Sequence, residues 1–219
     1  MINIAIDGPS GSGKSTIAKM LSEKMGITYL DTGAMYRGIG YFALKNGIDP
    51  SDDKKVIPML DIVKMQIVYD KSGTQKVFVN DEDVTPFIRE HKISMAASTI
   101  SKIPAVRLKL VELQREIAQN TDCVLDGRDI GSYVLPNANY KFFMTATSEE
   151  RALRRHKELL EKGQEISYRE VLNDIVARDN QDSTRSFAPL KIADNAIVID
   201  TTKLSIEQVA TKIMEIVCK

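Results

Sequence analysis

The sequence predicts an α/β fold with a parallel sheet, and two observations carry that prediction. The chain opens with an apolar strand, a glycine-rich loop and an amphipathic helix, and further short apolar runs then alternate with helical patterns. Strands that alternate with helices indicate βαβ units, which build parallel sheets. A second pattern, alternating over 65–69 and 76–80 around a glycine turn, predicts a small antiparallel hairpin inserted into the βα chain.

The glycine-rich loop runs from Gly8 to Ser15 and fits the phosphate-binding pattern G-x-x-x-x-G-K-[ST]. An apolar strand precedes it and a helical pattern follows it, which is the context that the pattern requires. Glycines let the loop N–H groups point at phosphate oxygens, at the positive end of the helix. Lys14 is expected to reach the β- and γ-phosphates, and the Ser15 hydroxyl to ligate Mg²⁺. The predicted triphosphate-binding residues are Gly8, Pro9, Ser10, Gly11, Ser12, Gly13, Lys14, Ser15 and Thr16.

The composition limits the kind of partner that the protein binds. The chain has 219 residues, of which 43% are hydrophobic, and its 30 basic residues balance its 30 acidic ones. A zero net charge argues against a general nucleic-acid or membrane surface, so any basic site must be local. The two cysteines lack metal or redox spacing and indicate free thiols in a reducing compartment. Without a signal peptide or a membrane-spanning run, we expect a cytoplasmic protein, and nothing in the sequence demands an oligomer, so we expect a monomer.

A second informative stretch begins at Cys123, where an apolar run ends in Asp126-Gly127-Arg128-Asp129. A core strand that ends in a carboxylate can bring that group close to Mg²⁺ in phosphate-loop enzymes, so Asp126 is a candidate for the metal site. Arg128 and Asp129 place a cation and an anion together at the strand end. A purely structural Arg128–Asp129 pair is the alternative interpretation.

Arginines recur at the ends of predicted strands and helices. A helix is predicted from Tyr168 to Arg178, followed by a dense polar stretch that ends at Arg185. An earlier helix carries three arginines at spacings of three and four, where an anion or neighbouring glutamates would balance them. Transfer of a phosphoryl group between two phosphate-bearing molecules requires a cationic pocket, and the arginine fork binds phosphate bidentately. The arginines in question are Arg37, Arg107, Arg128, Arg178, Arg185 and the group Arg151, Arg154 and Arg155.

Four motifs together resemble the bacterial cytidylate kinases along nearly the whole chain. They are Asp7–Lys14, Leu30–Arg37, Asp126–Gly131, and Arg178-Asp179 with Asp182 and Arg185–Leu190. The resemblance implies MgATP-dependent phosphorylation of CMP and dCMP. It also implies the phosphate-loop NTPase fold with five parallel strands ordered 2-3-1-4-5, an enlarged monophosphate-binding insert and a helical lid. The domains expected are a core of 1–36, 108–147 and 170–219, an insert of 37–107 and a lid of 148–169.

The resemblance also implies a role for each candidate residue. Thr32, Arg37, Arg128 and Asp129 would hold the phosphate and sugar side of the acceptor. Ser98, Arg107 and Asp182 would read the cytosine edge. Arg178 and Arg185 would bridge the acceptor and the transferring group, and the lid residues Arg154 and Arg155 would close on the ATP phosphates. The expected catalytic residues are thus Lys14, Arg128, Arg178, Arg185, Arg154 and Arg155.

Two other classes of function are alternatives to this one. A kinase for another monophosphate, or for a small alcohol such as shikimate, would share the phosphate loop but not the Asp126–Asp129 stretch or the hairpin insert. A nucleotide-dependent switch is the further alternative, because Asp70–Gly73 fits D-x-x-G. That run lies in the predicted hairpin turn, and the sequence contains no Asn-Lys-x-Asp guanine reader. The preference between CMP and dCMP and the tolerance of UMP do not follow from the sequence.

Overall fold

A computed structural model describes residues 1–161 and 163–218. As the sequence predicts, strands and helices build the main sheet and a small antiparallel sheet is inserted among them, whereas the π-helical turn was not predicted. The strands are β1 (Asn3–Asp7), β2 (Thr28–Asp31), β3 (Met65–Tyr69), β4 (Gln75–Val79), β5 (Glu82–Asp83), β6 (Cys123–Gly127), β7 (Tyr140–Thr145) and β8 (Ile197–Asp200). The helices are α1 (Lys14–Met25), α2 (Thr32–Lys45), α3 (Asp53–Ile62), α4 (His91–Ile100), α5 (Pro104–Asn120), α6 (Ser148–Glu161), α7 (Tyr168–Thr184) and α8 (Ile206–Val217), and the π-helical turn spans Ile130–Val134.

The main sheet has five strands in the order β2-β6-β1-β7-β8. Strand β1 pairs in parallel with both β6 and β7, and β7 pairs in parallel with β8. Counted along the chain without the inserted strands, this is the predicted order 2-3-1-4-5, so the predicted fold class is confirmed. Strand β1 is therefore central, and its carboxyl end feeds the glycine-rich loop at the edge of the sheet where parallel α/β proteins bind ligands.

The chain divides into two compact units, Met1–Tyr29 with Asp122–Lys219, and Leu30–Thr121. We call them unit 1 and unit 2. The insert and lid boundaries given above remain predictions.

Unit 1 is built on an apolar core beneath the sheet. Ile4, Ile6 and Phe142 of the central strands are fully buried and pack with Leu21 of α1 and Ile213 of α8. A second, smaller cluster joins α6 to α7 through Ala152, Leu159, Val171 and Ile175. The first cluster packs α1 and α8 against the sheet, and the second packs α6 against α7. The α6–α7 pair therefore has its own apolar cluster within this unit. Within the described residues, no helix is both long and apolar enough to cross a bilayer.

Unit 2 contains the predicted hairpin as part of a three-stranded antiparallel sheet, β3-β4-β5. Helix α2 packs on α4 and on β4. The close approach of α2 to α4 depends on Gly40, because a Cβ there would lie 3.0 Å from the Ala97 nitrogen. Helix α4 begins at His91.

Candidate active site

The phosphate-binding loop has the backbone geometry that its glycines predict. Gly8 has a φ of 143°, and a Cβ at this position would lie 1.9 Å from the Met144 carbonyl oxygen. Gly13, with a φ of 90°, is the N-cap of α1. Only glycine meets both requirements, since side chains rarely adopt these angles. The loop thus turns tightly from β1 into the positive end of α1, which suits it to bind anions.

Lys14 is turned back onto its own loop. Its Nζ donates to the Pro9 carbonyl oxygen at 2.6 Å and to Ser12 Oγ at 3.3 Å, and the residue is buried. Burial, with the nearby positive charge of Arg128, lowers the pKa of Lys14 well below its ordinary value. Asp126 and Asp7 act in the opposite direction. Anionic phosphate oxygens would be stronger acceptors for this ammonium group than the carbonyl that it contacts here.

Ser15, in the first turn of α1, lies next to Asp126 of β6. Ser15 Oγ donates to Asp126 Oδ2 at 2.8 Å, and the Tyr29 hydroxyl donates to Asp126 Oδ1 at 2.9 Å. Hydroxyl and carboxylate oxygens are ligands that suit Mg²⁺, which keeps several waters and uses few protein groups. The pair predicted as metal ligands is therefore close enough to act on one ion.

A network of charges follows strand β6. Arg128 Nε donates to Asp182 Oδ2 at 2.8 Å, and Arg185 lies 3.4 Å from Asp129 and 3.8 Å from Asp182. Burial alone would raise the pKa of Asp182, yet Arg128, followed by Arg178 and Arg185, holds it below its ordinary value. The positive charges of Arg128 and Arg178 also lower the pKa of Lys14. Five residues predicted to bind the acceptor thus lie in one network: Arg128, Asp129, Arg178, Asp182 and Arg185. The suggested Arg128–Asp129 pair gives way to Arg128–Asp182 and Arg185–Asp129.

The helix that carries Arg178 is longer than predicted. Helix α7 continues to Thr184, so Arg178 and Asp182 lie within it and Arg185 is its C-cap. The polar run Asn180–Thr184 suggested an end, but the Ser183 and Thr184 hydroxyls donate back to helix carbonyls, including the oxygen of Asn180. Spacings of four and three put Arg178, Asp182 and Arg185 on one face. A rigid helix therefore carries these groups, instead of a polar loop.

The three arginines of α6 have different partners. Arg151 is buried and binds both carboxylate oxygens of Asp179, at 3.1 and 2.6 Å, and the carbonyl oxygens of Ser10 and Ala146. Arg154 donates to Glu150 and to Thr201, whose hydroxyl in turn donates to Ser12 O. Arg155 pairs with Glu158. Each arginine is balanced by a nearby acid, and Arg151 contacts the phosphate loop directly.

In unit 2, Asp31 binds two arginines at the start of α2, next to Thr32 in the chain. Its carboxylate caps the helix by accepting from Ala34 N at 2.8 Å, and it binds Arg37 at 2.8 Å and Arg89 at 3.6 Å. Burial opposes ionisation of Asp31, but Arg37 and Arg89 hold its pKa below the ordinary value. Two guanidinium groups face one carboxylate, so the cluster has a positive excess beside the buried Thr32.

Ser98 and Arg107 form a second group in unit 2. Arg107 is almost fully buried, its guanidinium lies 5.6 Å from the centre of the Tyr36 ring, and it approaches the Ser101 carbonyl oxygen at 3.5 Å. The Ser101 hydroxyl donates to the Ser98 carbonyl oxygen at 2.8 Å. A guanidinium that lies over an aromatic ring and is buried has a restricted position, and its planar fork of donors suits it to read a planar base edge.

Sequence reasoning gave no role to three residues that the structure places in these clusters. They are Asp7, which binds the turn after Asp129, Arg151, which binds the loop, and Arg89, which faces Asp31. Arg151 was noted only as part of a basic helix face. A signal for Asp7 was its position directly before the loop, although its partners lie 123 and 124 residues away.

Comparison with known proteins identifies relatives over the full length. The family model described as cytidylate kinase matches residues 4–219. The "Cytidylate kinase" of Caldicellulosiruptor bescii is 52% identical over 100% of this chain and 96% of its own length, and that of Bacillus subtilis is 46% identical over 99% and 96%. A solved structure of an uncharacterized protein from Eubacterium ventriosum shares the fold, with a TM-score of 0.55 at 13% identity, covering 100% of this chain and 99% of that one. The chain belongs to the cytidylate kinase family.

Proposed function

We propose that this protein transfers the γ-phosphoryl group of MgATP to CMP or dCMP, giving CDP or dCDP. One observation of the molecule carries the proposal furthest: Arg128, whose charge lowers the pKa of the phosphate-loop Lys14, also donates to Asp182 Oδ2 at 2.8 Å. A phosphate loop surrounded by arginines suits a reaction in which both partners are phosphorylated. The names of the curated relatives point to the same acceptor.

The donor is assigned to the loop of unit 1. Its backbone N–H groups and Lys14 bind the ATP phosphates, and Lys14 gives up its bonds to Pro9 and Ser12 for anionic oxygens. Ser15 and Asp126 would hold Mg²⁺, which neutralises charge on the β- and γ-phosphate oxygens when bound. Arg154 and Arg155 are assigned to the ATP phosphates in a closed state, in which they exchange Thr201, Glu150 and Glu158 for phosphate.

The acceptor is assigned to three groups of residues. Thr32, Arg37, Arg128 and Asp129 bind its phosphate and sugar, while Arg178 and Arg185 neutralise the acceptor phosphate and the transferring group. A phosphate oxygen of the acceptor is already an anionic nucleophile, so these residues position it and no general base is needed. Ser98, Arg107 and Asp182 distinguish cytosine, with Asp182 accepting from the exocyclic amine and Arg107 donating to the ring carbonyl.

A panel of acceptors tests the proposal. ADP formation is measured with CMP, dCMP, UMP, AMP and shikimate, and with no acceptor, at fixed MgATP. We expect CMP and dCMP to give the highest kcat/KM and the acceptor-free rate to be negligible. A rate with CMP no higher than the rate without acceptor overturns the proposal, and highest turnover with another monophosphate or with shikimate identifies the alternative kinase. The cytoplasmic location and the monomeric state remain predictions, and sedimentation velocity checks the latter.

A further inference from the structure

Asp7, the last residue of β1, is a buried carboxylate to which the proposed reaction assigns no role. It is 2% exposed, and both of its oxygens are used. Asp7 Oδ1 accepts from the Ile130 N–H and Oδ2 from the Gly131 N–H, each at 2.7 Å. Those amides begin the π-helical turn, whose own N-cap, Asp129, supplies no side-chain cap. The first N–H groups of a helical turn lack partners within it, so Asp7 takes the place of the cap from a distant strand.

The position of Asp7 in the sheet fixes the other end of the same segment. Its Cα pairs in register with Gly127 of β6 and with Phe143 of β7, so strands on both sides hold its backbone. Only Arg128 and Asp129 lie between Gly127, which is held by the sheet, and Ile130, which is held by the carboxylate. The two residues that contact Asp182 and Arg185 are therefore attached to Asp7 at both of their ends.

We propose that Asp7 is a positioning residue that fixes Arg128 and Asp129 for binding of the acceptor nucleotide. The residue that follows it, Gly8, is the first of the phosphate loop, so Asp7 also fixes the position of Arg128 and Asp129 relative to that loop. This inference rests on the proposed function, because it assigns Arg128 and Asp129 to the acceptor.

The choice of side chain is specific. A carboxylate offers two acceptor oxygens, whereas the amide of asparagine has one oxygen and one NH₂ donor. In Asp7→Asn one backbone N–H would face a donor in a buried place, and a buried N–H without an acceptor is costly. The shape of the side chain is unchanged, so this substitution tests hydrogen bonding and charge without opening a cavity.

Asp70 supplies a matched control. Its carboxylate also accepts from backbone N–H groups, those of Ser72 and Thr74, but it lies exposed in the hairpin turn of unit 2. Asp70→Asn makes the same chemical change where no proposed ligand is attached.

The first measurement is amide hydrogen exchange at Ile130 and Gly131, followed by NMR in the nucleotide-free protein at pH 8, above the pKa of about 7 of Asp7, where its carboxylate is ionised. In Asp7→Asn we expect protection of at least one of the two amides to fall by roughly tenfold, as expected for the loss of a charge-assisted hydrogen bond, with Asp70→Asn unchanged there. Unaltered protection at both amides overturns the inference. This result does not depend on activity.

The second measurement is steady-state kinetics with CMP and ATP varied separately. We expect the KM for CMP to rise roughly tenfold in Asp7→Asn while the KM for ATP changes by less than about threefold, the loss expected when a supporting contact is removed. Equal rises in both KM values, or no rise for CMP, would mean that Asp7 does not act through Arg128 and Asp129. If the wild type shows no turnover with CMP, it is the proposed function that fails, and the exchange result still decides whether Asp7 holds the turn.

Discussion

The Ser15 hydroxyl donates to Asp126 Oδ2 over 2.8 Å, which joins the first turn of α1 to the carboxyl end of β6. This contact brings together the two oxygens that we assign to Mg²⁺. The Tyr29 hydroxyl orients the same carboxylate from its other side. The metal dependence of the reaction therefore gives a direct test of the pair.

Asp126→Asn removes the negative charge while keeping the shape of the side chain. We expect the Mg²⁺ concentration that gives half-maximal rate to rise by roughly tenfold or more, because Mg²⁺ prefers carboxylate oxygen. The rate is measured over a magnesium titration at saturating ATP and CMP. Tyr29→Phe, which deletes one hydrogen bond but keeps the carboxylate, should shift the curve much less. An unchanged magnesium titration in Asp126→Asn would remove Asp126 from the metal site.

Asp182→Asn tests the reading of cytosine. The substitution keeps an acceptor oxygen but loses the charge that pairs with Arg128 and Arg185. We expect kcat/KM to fall for CMP by roughly 10-fold to 100-fold, the range for a hydrogen bond to a charged group, and to fall less for UMP, which lacks the exocyclic amine. Asp174→Asn, two turns earlier on α7, is the control. Equal losses for CMP and UMP would assign Asp182 to the arginine network alone.

The pH dependence of stability tests the environment of Asp7. Burial and the charge of Asp129 raise the pKa of Asp7 from 3.8 to about 7, against the two amide hydrogen bonds and Lys14, which lower it. Between these two values the folded state holds a proton that the unfolded state has lost. Stability from this group is therefore greatest below pH 4 and is lost as the pH rises towards about 7.

Asp7→Asn has no group that titrates at this position. We expect the difference in the free energy of unfolding, wild type minus Asp7→Asn, to fall by roughly 3 kcal/mol between pH 4 and pH 7.5. Urea denaturation at a series of pH values measures it. A difference that is constant with pH would contradict a raised pKa for Asp7.

Arg151 ties the α6–α7 pair to the phosphate loop through a bidentate contact with Asp179 and a bond to Ser10. Arg151→Met keeps much of the apolar stem but leaves the Asp179 carboxylate without its cation. We expect the free energy of unfolding to fall by about 2 kcal/mol, less than is typical when one partner of a fully buried pair is removed, because the Asp179 side chain is 27% exposed. Thermal and urea denaturation measure the loss, and Arg169→Met, exposed on α7, should cost little. A loss no larger than that of the control would show that the pair contributes little to stability.

The parts of the fold that the sequence predicted are those set by local pattern. The loop from Gly8 to Ser15 depends on neighbouring glycines and on the strand and helix beside it, and the alternation over 65–69 marks a strand by itself. The end of α7 was misjudged because Ser183 and Thr184 favour helix ends by propensity, whereas here their hydroxyls bond within the helix.

The site residues that were missed depend on distant partners. Asp7 reaches Ile130 across 123 positions, and Arg151 reaches Ser10 across 141. Neither contact follows from periodicity or spacing, because both depend on which strands become neighbours in the sheet. The same reason explains why Arg128 pairs with the distant Asp182 and not with the adjacent Asp129 that the sequence suggested.

Transfer of label from [γ-³²P]ATP to CMP tests the central claim most directly. We expect the wild type to place the label on CDP, with little released as inorganic phosphate, and Lys14→Ala to abolish the transfer while remaining folded. Label found only in inorganic phosphate, or equal transfer by wild type and Lys14→Ala, would contradict the account.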